Sequence, residues 1–139
     1  DLIGVGLTSI GEGVDYYAQN FKDMHAYEAA IDDGRLPFER GIVRNDDDQI
    51  RNYVIMELMS NFKLDIMRFE EIYKIEFKSY FADAIEALKT FADEGLITMD
   101  EKHIECSQTG TLLIRNIAMP FDAYMKNHAA SKKTFSKTI

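Results

Sequence analysis

The residues able to do chemistry are few. His25, His103 and His128 are far apart in the chain, and none is accompanied at helical i+3 or i+4 spacing by anything beyond generic surface acids, so a metal pair is not expected. The single cysteine, Cys106, excludes an internal disulfide framework and any zinc or iron–sulfur site built from this chain's thiolates alone. It stands in an apolar, strand-like stretch with no cation placed to lower its pKa, which makes it a small core or edge residue rather than a nucleophile. No catalytic and no metal-ligating residue is therefore assigned within this sequence.

Two further groups of residues stand out. The spacing Gly4-x-Gly6-x-x-Ser9 is that of part of a dinucleotide fingerprint, but that fingerprint occupies a turn after a strand and these glycines lie within a strand-like stretch. Two readings remain: close backbone approach inside a sheet, or a strand end, Thr8-Ser9-Ile10 with Gly11-Glu12-Gly13, that forms a pocket wall as the ends of barrel strands do. Arg40, Arg44 and Arg51 flank a junction in the chain, and guanidinium suits bidentate carboxylate recognition, although solvation is the ordinary fate of such side chains. Met56, Met59 and Met67 read as core filler.

The elements that must position these groups follow from apolar spacing. Asp1–Ile10 is apolar, uncharged after Asp1 and glycine-punctuated, which predicts a buried strand ending at Gly11-Glu12-Gly13. No strand beside it is evident, so its sheet is expected upstream. A short helix is predicted over Asp23–Asp33, with Asp23 as N-cap and Gly34 as stop. Phe38–Arg44 is extended, and the acids Asp46, Asp47 and Asp48 suit a helix N-terminus. Apolar periodicity then predicts helices over Asp48–Asn61, Arg68–Glu76 and Ser79–Glu94, the last stopped by Gly95. A hairpin follows, Leu96–Met99 and His103–Cys106 about the turn Asp100-Glu101-Lys102. The last helix has Thr109 as N-cap and is kinked or ended by Pro120, and the tail from Asn127 to Lys137 is polar and weakly patterned.

At 139 residues the chain is one domain's worth, with 46% hydrophobic residues to supply a core. No apolar run approaches the ~20 residues of a membrane span, and there is no signal-peptide pattern, so a soluble cytoplasmic protein is expected. With 24 acids against 16 bases the net charge is −8, which disfavours a polyanion as partner. Three helices, a hairpin and a further helix is the order of a winged-helix module. The third helix, where DNA readers carry basic and amide side chains, here presents Asp83, Glu86, Lys89, Asp93 and Glu94, so the expected role is packing or covering, with no nucleic acid. The fold class is mainly α with a small β component: a winged-helix-like helical domain with a hairpin wing over 45–139, preceded over 1–44 by a connecting segment and an orphan strand whose sheet is expected upstream. Asp1, in place of an initiator Met, agrees with a fragment.

Several strings, in order along the whole chain, carry a family likeness: Asp1-Leu-Ile-Gly-Val-Gly6 with Ser9-Ile10, Tyr17-Ala-Gln-Asn20, Arg40-Gly-Ile42, Asp47-Asp48 with Ile50-Arg51, Asn61-Phe62 with Leu64-Asp65, Tyr80-Phe81, Leu112-Leu-Ile-Arg-Asn-Ile117, Phe121-Asp122 with Tyr124, and Phe135-Ser136 with Ile139. Together they resemble the C-terminal part of the bacterial oxygen-independent coproporphyrinogen III oxidases, radical S-adenosylmethionine enzymes of haem synthesis. The resemblance implies a monomeric parent whose partial (β/α) barrel holds a 4Fe–4S cluster on three upstream cysteines, with a helical C-terminal domain covering the active-site mouth, and it makes the orphan strand within 1–44 the last strand of that barrel. It implies cleavage of S-adenosylmethionine to a 5′-deoxyadenosyl radical, then decarboxylation of two propionates of coproporphyrinogen III to vinyl groups, the cofactors carrying the hard step. The cluster ligands are not in this chain, so the fragment alone is expected to be inactive.

One S-adenosylmethionine contact of the family falls on a matched position, Ile10. The propionates of the substrate require cations, for which Arg40, Arg44 and Arg51 are the candidates. The alternatives are a related radical S-adenosylmethionine protein that handles haem, or a free-standing winged-helix interaction domain.

Overall fold

A computed structural model describes residues 1–128. The chain is mainly helical with two small antiparallel sheets, and it divides into two compact units, Asp1–Gln49 and Ile50 onward.

In the first unit, β1 (Ile10–Glu12), β2 (Tyr16–Asn20) and β3 (Phe38–Val43) form a sheet in that order, with α1 (Met24–Asp32) between β2 and β3. The expected buried strand over Asp1–Ile10 is not formed. Gly6 at φ +91° and Thr8 at φ +59° turn the backbone out of the extended region, and Leu2, Ile3, Val5 and Ile10 are exposed. The strand instead begins where that stretch was to end: Gly11 and Glu12 pair with Ala18 and Tyr17, so the strand has a partner downstream in a hairpin. The segment ahead of β1 folds back along it, with Leu2 and Glu12 exchanging both backbone hydrogen bonds at 2.7 and 2.8 Å. Asn20, buried, holds this segment by donating from Nδ2 to the carbonyls of Gly4 (3.1 Å) and Gly6 (2.8 Å). Helix α1 matches its sequence signals, Asp23 Oδ1 accepting from the Ala26 N–H at 2.9 Å and Gly34 leaving the helix at φ +68°.

Helix α2 (Asp46–Asn61) starts with three acids in its first turn, where they suit the positive end of the macrodipole. A capping box closes it: Asn45 Oδ1 accepts from the Asp48 N–H at 2.9 Å and Asp48 Oδ2 from the Asn45 N–H at 3.0 Å. Its buried face, Ile50, Val54 and Leu58, belongs to the core of the second unit.

That core is aromatic at its centre. Around it stand α3 (Ile66–Tyr73), α4 (Phe77–Tyr80), α5 (Ala82–Asp93), α6 (Gln108–Leu112), α7 (Ile114–Ala118), a 3-10 turn (Met119–Phe121) and α8 (Ala123–His128), with β4 (Lys63–Asp65), β5 (Ile97–Met99) and β6 (His103–Cys106). Phe69, Phe77 and Phe121 are fully buried. Phe77 stands edge-on to Phe69 at 5.2 Å and 82°, and Phe81 edge-on to Phe121 at 5.2 Å and 78°, geometries worth about 0.5–1.5 kcal/mol each beyond the area they bury.

Several expected boundaries shift for local reasons. The predicted Ser79–Glu94 helix is two helices, broken where Phe81 leaves helical geometry at φ −106°, ψ 28° with its ring in the core. The second helix starts at Ile66 because Asp65 caps it, and ends at Tyr73 because Lys74 adopts φ +57°. The last helix is capped by Ser107, whose Oγ accepts from the Gly110 N–H, rather than by Thr109. Pro120 sits in the 3-10 turn that follows. The β5–β6 hairpin forms about Asp100-Glu101-Lys102 as expected, but a third strand, β4, pairs with β6 to give the order β4-β6-β5. Met56 and Met67 are exposed and are not core filler. Among the described residues no helix is long and apolar enough to cross a membrane, while Phe135, Ser136, Ile139 and most of the predicted polar tail lie outside the described residues.

Gly110 tests the seam between α6 and the sheet. A Cβ there would fall 1.9 Å from the Leu96 carbonyl oxygen, which only backbone movement can relieve. Gly110→Ala is expected to destabilise the chain by about 1–3 kcal/mol in urea unfolding; unchanged stability would show that the seam yields freely.

Candidate functional site

A concavity lined by two sequence-predicted residues, Ile10 and Arg40, lies on one face of the first sheet. Strand register puts Ile10, Gln19 and Arg40 in one cross-strand row and Glu12, Tyr17 and Ile42 in the next, all on the same face. Ile10, Tyr17, Gln19, Arg40 and Ile42, with Ala18 and Gly41, line an open groove of about 440 Å³. Ile10 is half exposed at its edge, as a residue offering apolar contact to a ligand must be.

The three arginines part company here. Arg44 is buried with only 8% of its surface exposed. Its NH1 donates to Glu12 Oε1 at 2.9 Å and to the Tyr17 hydroxyl at 3.1 Å, its NH2 donates to the carbonyls of Gly13 and Val14, and its guanidinium carbon lies 4.5 Å from the Tyr17 ring centroid. The candidate carboxylate receptor is thus consumed by the chain itself: it clasps the β1–β2 turn. Burial, then the Glu12 carboxylate, pushes the Tyr17 hydroxyl above its ordinary pKa while Arg44 pulls the other way, so Tyr17 stays protonated near neutral pH.

Arg51, in the second unit, donates from NH1 to the Phe121 carbonyl at 3.0 Å and lies over the rings of Phe81 (5.5 Å) and Tyr80 (5.9 Å). It ties α2 to the 3-10 turn and lines a cavity of about 270 Å³ with Tyr80, Asp83 and Pro120. Arg40 alone of the three projects from an exposed strand position beside the groove. Both its Nε (2.9 Å) and its NH2 (2.6 Å) donate to Gln19 Oε1, and Gln19 Nε2 in turn donates to the Thr8 carbonyl at 3.0 Å.

The remaining chemistry-bearing residues do not converge. His103 begins β6, with Nδ1 4.0 Å from Asp100 Oδ1. Asp100 is occupied by the turn, accepting from the Lys102 and His103 N–H groups at 2.7 Å each, which holds its carboxyl below the usual range. His25 lies on α1 in the other unit, and the His128 side chain is outside the described residues. Among the described residues no group of three or more His, Cys, Asp or Glu is arranged to hold a metal. The half-buried Cys106 thiol is pushed up in pKa, first by burial and then by Glu105, the opposite of an iron-ligating or nucleophilic thiolate. A 4Fe–4S cluster therefore does not fit the described residues, while the groove beside Ile10 is lined by apolar, amide and backbone surface.

Residues 45–113 match the family of the HemN C-terminal domain. Over that segment the chain is similar to HemN C-terminal domains. The likeness extends beyond that segment: oxygen-independent coproporphyrinogen III oxidase of Helicobacter pylori (strain J99) is 49% identical over 137 residues, 99% of this chain and 29% of that protein. The protein of the same name from Escherichia coli (strain K12) is 40% identical over all of this chain and 30% of its own length. The solved structure of coproporphyrinogen III oxidase (HemN) from Escherichia coli, described as a radical SAM enzyme, matches with a TM-score of 0.83 at 41% identity, over 89% of this chain and 29% of that one. The chain thus spans about 30% of the length of these relatives.

Sequence reasoning missed what the Tyr-Ala-Gln-Asn string does within the HemN-like fold. Tyr17 stacks on Arg44, Ala18 is buried beneath the groove, Gln19 holds Arg40, and Asn20 holds the segment ahead of β1. The signal available was alternation: Tyr17 and Gln19 share one face of a strand, Ala18 and Asn20 the other.

Two outcomes are expected here. Arg44→Ala strands the Gly13 and Val14 carbonyls and the Glu12 carboxylate, so it should cost about 2–3 kcal/mol, less than breaking a fully buried pair because Glu12 is partly solvated. Amide exchange in β1 and β2 reads this out, and protection equal to the parent's would refute the clasp. Cys106 should react with iodoacetamide at about pH 8 more slowly in the folded chain than in urea; equal rates would contradict its burial.

Proposed function

We propose that this chain is the C-terminal part of an oxygen-independent coproporphyrinogen III oxidase, covering the substrate in the decarboxylation of coproporphyrinogen III to protoporphyrinogen IX. Likeness at 38–49% identity over essentially the whole chain to proteins of that name carries the reading. In it, residues 1–44 end the catalytic barrel and connect to residues 45–139, whose helices and hairpin serve as a winged-helix-like cover. The acidic outer face of α5, exposed at Asp83, Glu86 and Asp93, supports packing against protein over contact with a polyanion.

When bound on the rest of the enzyme, S-adenosylmethionine and a reduced cluster would supply the radical chemistry that converts a propionate to a vinyl group, with carbon dioxide released and one electron passed to an external one-electron acceptor. This chain's own contribution is positional. Ile10 presents its side chain along the groove, where it excludes water and gives the adenosyl group an apolar wall. Tyr17 and Ile42 extend that wall, and the Arg44 clasp keeps the two strands in register beneath it. The cytoplasm is the proposed setting.

The deciding experiment uses the intact, cluster-reconstituted parent under anaerobic conditions with S-adenosylmethionine, a reductant and coproporphyrinogen III. Protoporphyrinogen is expected from the full-length protein and none from one lacking residues 45–139; absence of product from the intact protein would overturn the reading in favour of haem handling. In the same assay Ile10→Asp should lower kcat/KM for S-adenosylmethionine roughly tenfold or more while Ile10→Val changes it little, and equal values for all three proteins would remove Ile10 from the cofactor wall.

A further inference from the structure

We propose that Arg40, oriented by Gln19, is a carboxylate receptor at the rim of the groove and takes one propionate of the tetrapyrrole. The inference rests on the oxidase reading above and adds to it a residue and a binding geometry. Its basis is the way the guanidinium is held. A guanidinium has two forked edges, one made by Nε–H with an adjacent N–H and one made by the two terminal nitrogens. Gln19 Oε1 takes the first edge, accepting from Nε at 2.9 Å and from NH2 at 2.6 Å. The second edge, the one that matches the two oxygens of a carboxylate, is not used by any described residue.

Gln19 is itself fixed. Its Nε2 donates to the Thr8 carbonyl at 3.0 Å, which decides which end of the amide faces Arg40, and Thr8 is held in its left-handed turn by the bond from its N–H to the Phe21 carbonyl at 2.9 Å. Thr8, Gln19 and Arg40 form a chain of contacts that restricts the rotamers of a long side chain before any ligand arrives, reducing the entropy lost on binding.

The surroundings suit an amphipathic anion. Of the residues lining the groove, Arg40 is the one cation and none is a carboxylate, in a chain whose net charge is −8. The nearest acid on that face, Glu12, is already paired with Arg44 at 2.9 Å, and Glu39 points to the opposite face by strand alternation. Ile10 and Ile42, both more than half exposed, offer apolar surface next to the charge, the combination that a pyrrole ring bearing a short carboxylate arm requires. Arg44 and Arg51 cannot substitute, since Arg44 is enclosed by the β1–β2 turn and Arg51 is committed to the Phe121 carbonyl and two rings.

The test uses the intact parent with two readouts. Coproporphyrin III, the oxidised and fluorescent form of the tetracarboxylate, is titrated against parent, Arg40→Gln, Arg40→Lys and Gln19→Leu, and KM is measured separately for coproporphyrinogen III and S-adenosylmethionine. Arg40→Gln is expected to weaken porphyrin binding roughly tenfold, to raise KM for coproporphyrinogen III in step, and to leave KM for S-adenosylmethionine unchanged. Arg40→Lys should recover part of the loss, because it restores charge without the fork, and Gln19→Leu should reproduce part of it with Arg40 in place. With the uncharged tetraamide of coproporphyrin, parent and Arg40→Gln should bind alike. Equal porphyrin binding by parent and Arg40→Gln would overturn the proposal while an active parent leaves the oxidase reading standing. A rise in KM for S-adenosylmethionine alone would also overturn it, assigning the anion to the amino-acid end of that cofactor, and a parent that neither binds nor converts the tetrapyrrole would overturn both readings.

Discussion

The first sheet depends on one guanidinium that the chain has taken out of water. Arg44 places four N–H···O bonds, to Glu12, Tyr17, Gly13 and Val14, and sets its guanidinium carbon over the Tyr17 ring; its buried Nε has no acceptor among the described residues. Burying a cation is costly unless it is paired and hydrogen-bonded. Here the pairing is spread over both strands of a hairpin and the residue just past β3, so the same contacts that settle the charge also fix strand register. The row of Ile10, Gln19 and Arg40 lies next to that of Glu12, Tyr17 and Ile42, in which the arginine holds Glu12 and Tyr17.

A division of labour among like residues follows. Three arginines close in sequence have three different fates, one enclosed by backbone carbonyls, one spread over aromatic rings, one propped at a groove edge by a glutamine. Residue type and spacing could nominate them as a group for carboxylate binding but could not sort them, because the sorting is done by partners distant in sequence: Glu12 lies far from Arg44, Gln19 from Arg40, Phe121 from Arg51. The helices and the second hairpin were more legible. Their signals are local, and the cap at Asp23, the stops at Gly34 and Gly95 and the Asp100 turn all act within a few residues.

What misled was equally physical. An apolar run with glycines reads as a buried strand when the backbone angles of Gly6 and Thr8 are unknown, and those two residues turn it into a segment that doubles back on β1. A continuous 3.6-residue period over Ser79–Glu94 reads as one helix, but Phe81 satisfies the core by leaving helical geometry, so tertiary packing prevails over local propensity. The strand β4 is three residues long, too short for alternation to reveal it, and it exists only because β6 offers an edge.

That pairing bears on how the second unit assembles. The central strand of its sheet, β6, meets β5 across a three-residue turn but meets β4 only after the chain has travelled through α3, α4 and α5. Closing the short loop costs little entropy and closing the long one costs more, so the β5–β6 hairpin can form early from local contacts while β4 must wait for the helices to collapse on the phenylalanine cluster. The strand that sits first along the sequence is then the last to join its sheet, and the order in which the chain is synthesised is the reverse of the order in which that sheet is completed.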